Sequence, residues 1–151
     1  MMTKEDILRA QQSWGDALIG VGQASDWAQA HALATQLVKD HYILDGSLLF
    51  APTRASEIQF RSTLEASVSY FVGNDDAFSE DHGFALEPWT AVRFENTGIQ
   101  LHTDVGIAMG NYFFTRTDGS EVKVEFTFAY CAEDSGELKI VAHHSALPFS
   151  A

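Results

Sequence analysis

In the segment KIVAHHSALPF two histidines and a serine stand in a row, His143, His144 and Ser145. The longer stretch VEFTFAYCAEDSGELKIVAHHSALPF reads as two β-strands joined by a turn. In a half-buried strand successive side chains alternate faces, so His143 and Ser145 share one face and His144 points to the other. A basic ring beside a hydroxyl suits the wall of a small polar pocket, where the hydroxyl donates or accepts and the imidazole relays protons near neutral pH.

Other residue groups point less clearly to chemistry. The chain has 6 histidines, but neighbours on a strand face opposite ways, and no H-x-H or H-E-x-x-H spacing supplies a second ligand to His143 or His144. The stretch GNDDAFSEDHG, residues 73 to 83, carries Asp75, Asp76, Glu80 and Asp81 without the alternation of an EF-hand loop, and reads as a solvated acidic loop. The glycines fall at turns and never in G-x-G-x-x-G or G-x-S-x-G order, so a dinucleotide fingerprint and a nucleophile elbow are both absent.

The elements that must carry these residues follow from periodicity. Thr3 and Asp6 form a capping-box pattern, and Ile7, Ala10, Trp14, Leu18 and Val21 recur at helical spacing to about Gly20 or Gly22. Ser25 is placed to cap a second helix with Trp27, Ala30, Ala34, Leu37 or Val38, and His41 along one stripe. SLLFAPT is expected as a first strand. A third helix follows through Tyr70 or Phe71, with Phe60, Leu64, Val68 and Phe71 inward, and closes at Gly73. If Thr53 capped that helix, it would lie roughly 26 Å from Tyr70 along an ideal axis. The expectation is therefore that SLLFAPT runs along the pocket wall and the helix starts a few residues after Thr53. Beyond Gly83 the period changes, with turn signals at Asn96 to Gly98, Thr103 to Gly106, Asp118 to Gly119 and Ser135 to Gly136 dividing the chain into strands. Helices first and an antiparallel sheet after describe an α+β domain with helices covering one face of a curved sheet.

Composition narrows the partners. At 151 residues, 46% hydrophobic with 11 Phe, the chain is expected to form a single domain with a substantial core. Its 21 acidic and 9 basic residues give a formal charge of −12, which repels phosphate backbones and anionic membranes, so neither nucleic acid nor membrane is an expected partner. Cys131 is the only cysteine, compatible with a reducing compartment. The start MMTKEDILRA lacks an apolar stretch of signal-peptide type and no run approaches a membrane span, so a cytoplasmic location is expected.

Together the order of elements and the strings LFAPT, FRSTLEASVSYFVG, GFALEPW, PWTAVRFENTGI, AMGNYFF, KVEFTFAY and KIVAHHSALPF resemble the iota-class carbonic anhydrases. That class is built on a domain related to the association domain of calcium/calmodulin-dependent protein kinase, in the nuclear-transport-factor-2-like superfamily. The resemblance runs from about Asp45 onward and rests on helix-first order, length and the closing motif jointly, since the kinase domains have a similar ending.

The resemblance implies a cone-shaped fold, a bent antiparallel sheet around a helix with the pocket between them, and homodimers through the outer sheet. It implies reversible hydration of carbon dioxide to bicarbonate. Some members have been described as metal-free and others as manganese- or zinc-dependent; the expectation here is no cofactor, with those two metals left open. By matching strings the catalytic positions are Thr53, Tyr70, His143 and Ser145, and the substrate-binding set is Thr53, Tyr70, Ser145 and His144. The class usually ends in HHSS, whereas Ala146 stands in place of the second serine here. In this scheme the hydroxyls position water and bicarbonate while His143 relays the proton. A cyclase- or isomerase-like enzyme on the same fold would instead require a carboxylate base deep in the cone, for which Glu65, Glu95 and Glu125 are available. A non-catalytic association module would form rings rather than dimers.

Overall fold

The computed structural model describes residues 1–151. Helix α1, Lys4–Gly22, begins with the expected reciprocal cap: Asp6 N–H donates to Thr3 Oγ1 and Thr3 N–H donates to Asp6 Oδ2. Ile7, Trp14, Leu18 and Val21 form its buried stripe. Helix α2, Trp27–His41, is capped by Asp26 rather than Ser25; Ser25 instead donates to the Gln29 side chain. Ala30, Ala34, Leu37 and Val38 are its buried residues, while Trp27 at the first turn is half exposed. Tyr42 leaves the helix in extended conformation and is buried.

The first strand, β1 (Leu49–Ala51), is shorter than SLLFAPT, and α3 (Leu64–Val72) is shorter than expected, capped by Thr63. The intervening residues are irregular and Phe60 is exposed, so the helix starts eleven residues after Thr53 rather than a few. Arg61 explains the shift. Its side chain is 0% exposed and makes a bidentate pair with Asp81, 2.7 and 2.8 Å. Its backbone N–H donates to Phe50 O at 2.8 Å and its guanidinium also donates to Ile58 O and Ala66 O, bonds that hold the segment against β1 and α3. The helix ends as expected at Gly73, whose φ of +65° suits glycine and whose missing side chain lets Asp81 to Gly83 close over it.

Residues 73 to 83 are thus no free acidic loop. The Asp81 side chain is 1% exposed, bound by Arg61 and the Ser69 hydroxyl. Glu80 accepts backbone N–H bonds from Ser56, Glu57 and Ile58, which hold its carboxyl down to about 2.

The remaining strands are β2 (Ala91–Leu101), β3 (Gly106–Thr115), β4 (Glu121–Ala132) and β5 (Leu138–Ala146). The sheet order is β1-β5-β4-β3-β2, parallel between β1 and β5 and antiparallel elsewhere. Asn96 to Gly98 is not a turn: β2 runs through it with a bulge. Across from it, a side chain on Gly110 would strike Glu95 O at 2.1 Å, so the kink demands glycine there. The turns after β2, β3 and β4 fall where the sequence signals them.

Helices cover the apolar sheet face. Val124, Phe126 and Phe128 are buried with Tyr112, Phe114 and Tyr130 in one core with Trp14, and Val122 packs against it. The row Val122, Val124, Phe126, Phe128 is therefore interior. The opposite face carries Lys123, Glu125, Thr127, His144 and Met109. No helix is long and apolar enough to cross a membrane.

Candidate active site

Alternation along β5 places His143 and Ser145 on the buried face, 3% and 5% exposed, and His144 on the exposed one. β5 lies between β1 and β4, so His143 pairs with Phe50 on one side and Phe128 on the other. Its ring is stacked between theirs, with centroids 4.8 and 4.0 Å away, and Trp14 stands edge-on at 5.8 Å. This apolar sandwich pushes the imidazole down to about 3, with the neighbouring His144 adding a smaller push.

Both ring nitrogens are bonded to tyrosines. Trp14 Nε1–H donates to Tyr42 Oη at 3.0 Å. Indole only donates, so the Tyr42 proton is left for His143 Nδ1 at 2.9 Å, since turning it elsewhere would leave it buried without an acceptor. The neutral imidazole then carries its hydrogen on Nε2 and donates to Tyr112 Oη at 3.0 Å. Tyr112 and Ser145 are in direct hydroxyl contact, and Ser145 Oγ meets Thr53 Oγ1 at 2.5 Å. The chain of donors runs one way, Trp14, Tyr42, His143, Tyr112, Ser145, Thr53.

At its end lies the cavity. Tyr70 Oη accepts the Arg54 N–H at 3.2 Å and sits beside the Thr53 hydroxyl. Burial pushes the Tyr70 phenol up to about 12, against the pull of the Arg54 N–H, the Thr53 hydroxyl and the Arg54 charge. With the donors running outward, at least one O–H of the Thr53 and Tyr70 pair faces the cavity with no protein acceptor. Phe50, Pro52, Phe71 and Phe84 supply the apolar wall, and the room is about 10 Å³, close to what one water centre requires. A steroid-sized substrate, which needs hundreds of cubic ångströms, does not fit such a site.

The structure brings Thr53, Tyr70, His143 and Ser145 together as expected on one cavity. It does not bring His144 there. That side chain lines an open groove on the outer face with Thr127 and Met109. His143, which the resemblance casts as the proton relay, is hydrogen-bonded at both ring nitrogens, and burial pushes its imidazole down to about 3. Sequence reasoning places Trp14 on an apolar helical stripe and does not single out Tyr42 or Tyr112; the rule that a buried tyrosine or tryptophan finds a polar partner is the signal that points to all three. The carboxylates a cyclase-like enzyme would require are elsewhere: Glu65, Glu95 and Glu125 are all exposed. No group of three or more His, Cys, Asp or Glu side chains is gathered to hold a metal ion.

Comparison with known proteins agrees with this chemistry. The family model for metal-independent carbonic anhydrase matches residues 5–147. A metal-independent carbonic anhydrase of Nostoc sp. (strain PCC 7120 / SAG 25.82 / UTEX 2576) is 39% identical over 153 residues, covering 98% of this chain and 75% of that protein. The crystal structure of a cyanobacterial iota-carbonic anhydrase complexed with bicarbonate superposes with a TM-score of 0.96 at 37% identity, over 99% of this chain and 94% of the other. A putative calcium/calmodulin-dependent protein kinase II association domain from Xanthomonas campestris shares the fold alone, with a TM-score of 0.69 at 19% identity, over 100% and 91% of the two chains. This chain therefore belongs to the metal-independent carbonic anhydrases, which hydrate carbon dioxide to bicarbonate on a nuclear-transport-factor-2-like fold.

Proposed function

We propose that Thr53, Tyr70 and Ser145 form the hydration site of this carbonic anhydrase and that His143, Tyr42 and Tyr112 hold its hydroxyls in one orientation. The observation that carries this reading is the one-way hydrogen-bond chain ending beside a cavity of a few atoms. As water oxygen bonds to carbon, negative charge grows on the carbon dioxide oxygens, and fixed O–H donors stabilise it without reorganising. A cyanobacterial relative of the same fold holds bicarbonate, which supports that anion as the ligand of this site. His143 acts as a neutral strut: a protonated ring would be a donor at both nitrogens and would reverse the Tyr42 end of the chain.

Stopped-flow hydration of carbon dioxide tests the assignment. Thr53→Val, Tyr70→Phe and Ser145→Ala should each lower the rate by roughly 10²-fold, the scale of losing one oxyanion donor, while the fold persists. Full activity in these variants would sink it.

We further propose a homodimer through the outer sheet face, where Met109 is 56% exposed beside the His144 groove; sedimentation at a monomer's mass would refute it. The free Cys131 accords with a cytoplasmic setting.

A further inference from the structure

Hydration releases a proton: carbon dioxide and water give bicarbonate and one H⁺. Nothing lining the inner cavity takes it up at neutral pH, because Tyr70 is held high and His143 low. Tyr70 and Phe84 line both this cavity and a second, outer cavity. That vestibule measures about 90 Å³ and is faced by Arg54, Glu80, Asp81 and His82. That is about nine times the room of the inner cavity, enough for several waters.

Its walls are fixed. Asp81 is clamped by Arg61 and Ser69, and Glu80 by three backbone N–H groups, so both carboxylates are committed to donors. The Arg54 guanidinium lies against Phe84 and Trp89, 5.2 and 5.9 Å from the ring centres. Between the clamped Asp81 and the closed turn at Gly83 stands His82, exposed to solvent. Two anchored carboxylates before it and a positive-φ glycine after it hold this one imidazole at the rim.

We infer that His82 is the proton-relay residue of the hydration reaction, accepting the proton from vestibule water and passing it to buffer. As the oxygen–carbon bond forms, the water's O–H bond breaks toward the vestibule waters, one of which then protonates a ring nitrogen of His82. In dehydration the same steps run backward. Imidazole is the side chain suited to such exchange near neutrality, and its exposure lets it meet buffer directly.

The test is stopped-flow hydration near neutral pH in a bulky buffer, comparing wild type with His82→Ala. The expected result is a fall on the order of 10²-fold, recovered in a saturable way by added imidazole, with an unchanged melting temperature. An unchanged rate overturns the inference, and so does a fall that imidazole does not restore. The inference rests on the inner-cavity reading, and Thr53→Val separates the two. Full activity of Thr53→Val beside a rescued His82→Ala would fault the inner-cavity assignment and leave the relay standing. Loss in Thr53→Val that imidazole cannot restore, beside an unaffected His82→Ala, would keep the cavity and remove the relay.

Discussion

Two buried polar networks meet α3, one beside Tyr70 and one through Ser69 and the Ala66 carbonyl, and they are built on opposite terms. Around His143 every group is neutral: a tryptophan, two tyrosines, an imidazole, a serine and a threonine bonded in series. Around Arg61 the groups are charged, with the guanidinium bidentate on Asp81 and Glu80 held by backbone donors and 3.8 Å from the same guanidinium. A buried charge is tolerable only with its partner in place, so the ionic network is rigid and serves as a clamp. A neutral chain has no such obligation, and its last donors stay available to an arriving anion. The clamp holds the walls, and the chain presents the hydroxyls.

That division can be broken most severely on the ionic side. Arg61→Ala strands Asp81 without its counter-charge and should cost about 3–5 kcal/mol, read as a lower urea midpoint with activity lost alongside stability. Acid should reach both networks in order. The folded-state value of His143 lies below its ordinary 6.5, at about 3, so the unfolded chain binds more protons in between. Stability is then full above about 6.5 and falls on the order of a few kcal/mol as pH drops toward 3. Glu80, lowered from 4.5 to about 2, adds loss in the same direction within its own lower window. His143→Asn should flatten the upper part of the urea-midpoint profile and leave the lower part.

A smaller effect is expected from Tyr112→Phe. It removes the hydroxyl between His143 and Ser145, costing roughly 1–2 kcal/mol and lowering hydration about tenfold through a disoriented Ser145. A stability loss with full activity would show that the chain's direction does not matter to catalysis. The smallest effect on turnover belongs to His144→Ala, on the outer face, where the rate per folded protomer should be unchanged.

The sequence discloses the neutral side far better than the ionic one. Period-two alternation is local, so it correctly separates His143 and Ser145 from His144 before any fold is known. Capping by Thr3 and the stop at Gly73 are likewise local. Arg61 is illegible because nothing in FRST distinguishes a buried arginine from the usual exposed one; its partner lies 20 residues away in a stretch that reads as solvated acid. The bulge at Asn96 to Gly98 carries turn residues but no turn, since the reason for them is Gly110 on the next strand. Val122, Val124, Phe126 and Phe128 alternate as one apolar face, and that is the face the helices cover. Tyr130 shows why tyrosine alone is a poor signal: it is buried in the same core with its hydroxyl unpartnered.

The position of β5 between β1 and β4 has a consequence for the order of assembly. The contacts that make the cavity join Thr53 to Ser145 across 92 positions and Tyr42 to His143 across 101. Such long loops close late, after the helices and the β2–β3–β4 meander can already have formed from nearer neighbours. A partly folded chain with β5 still undocked would show most of the native helix signal and no turnover. Catalysis by this enzyme is therefore a gauge of whether one strand has been inserted, and its recovery on refolding should lag behind the recovery of helix.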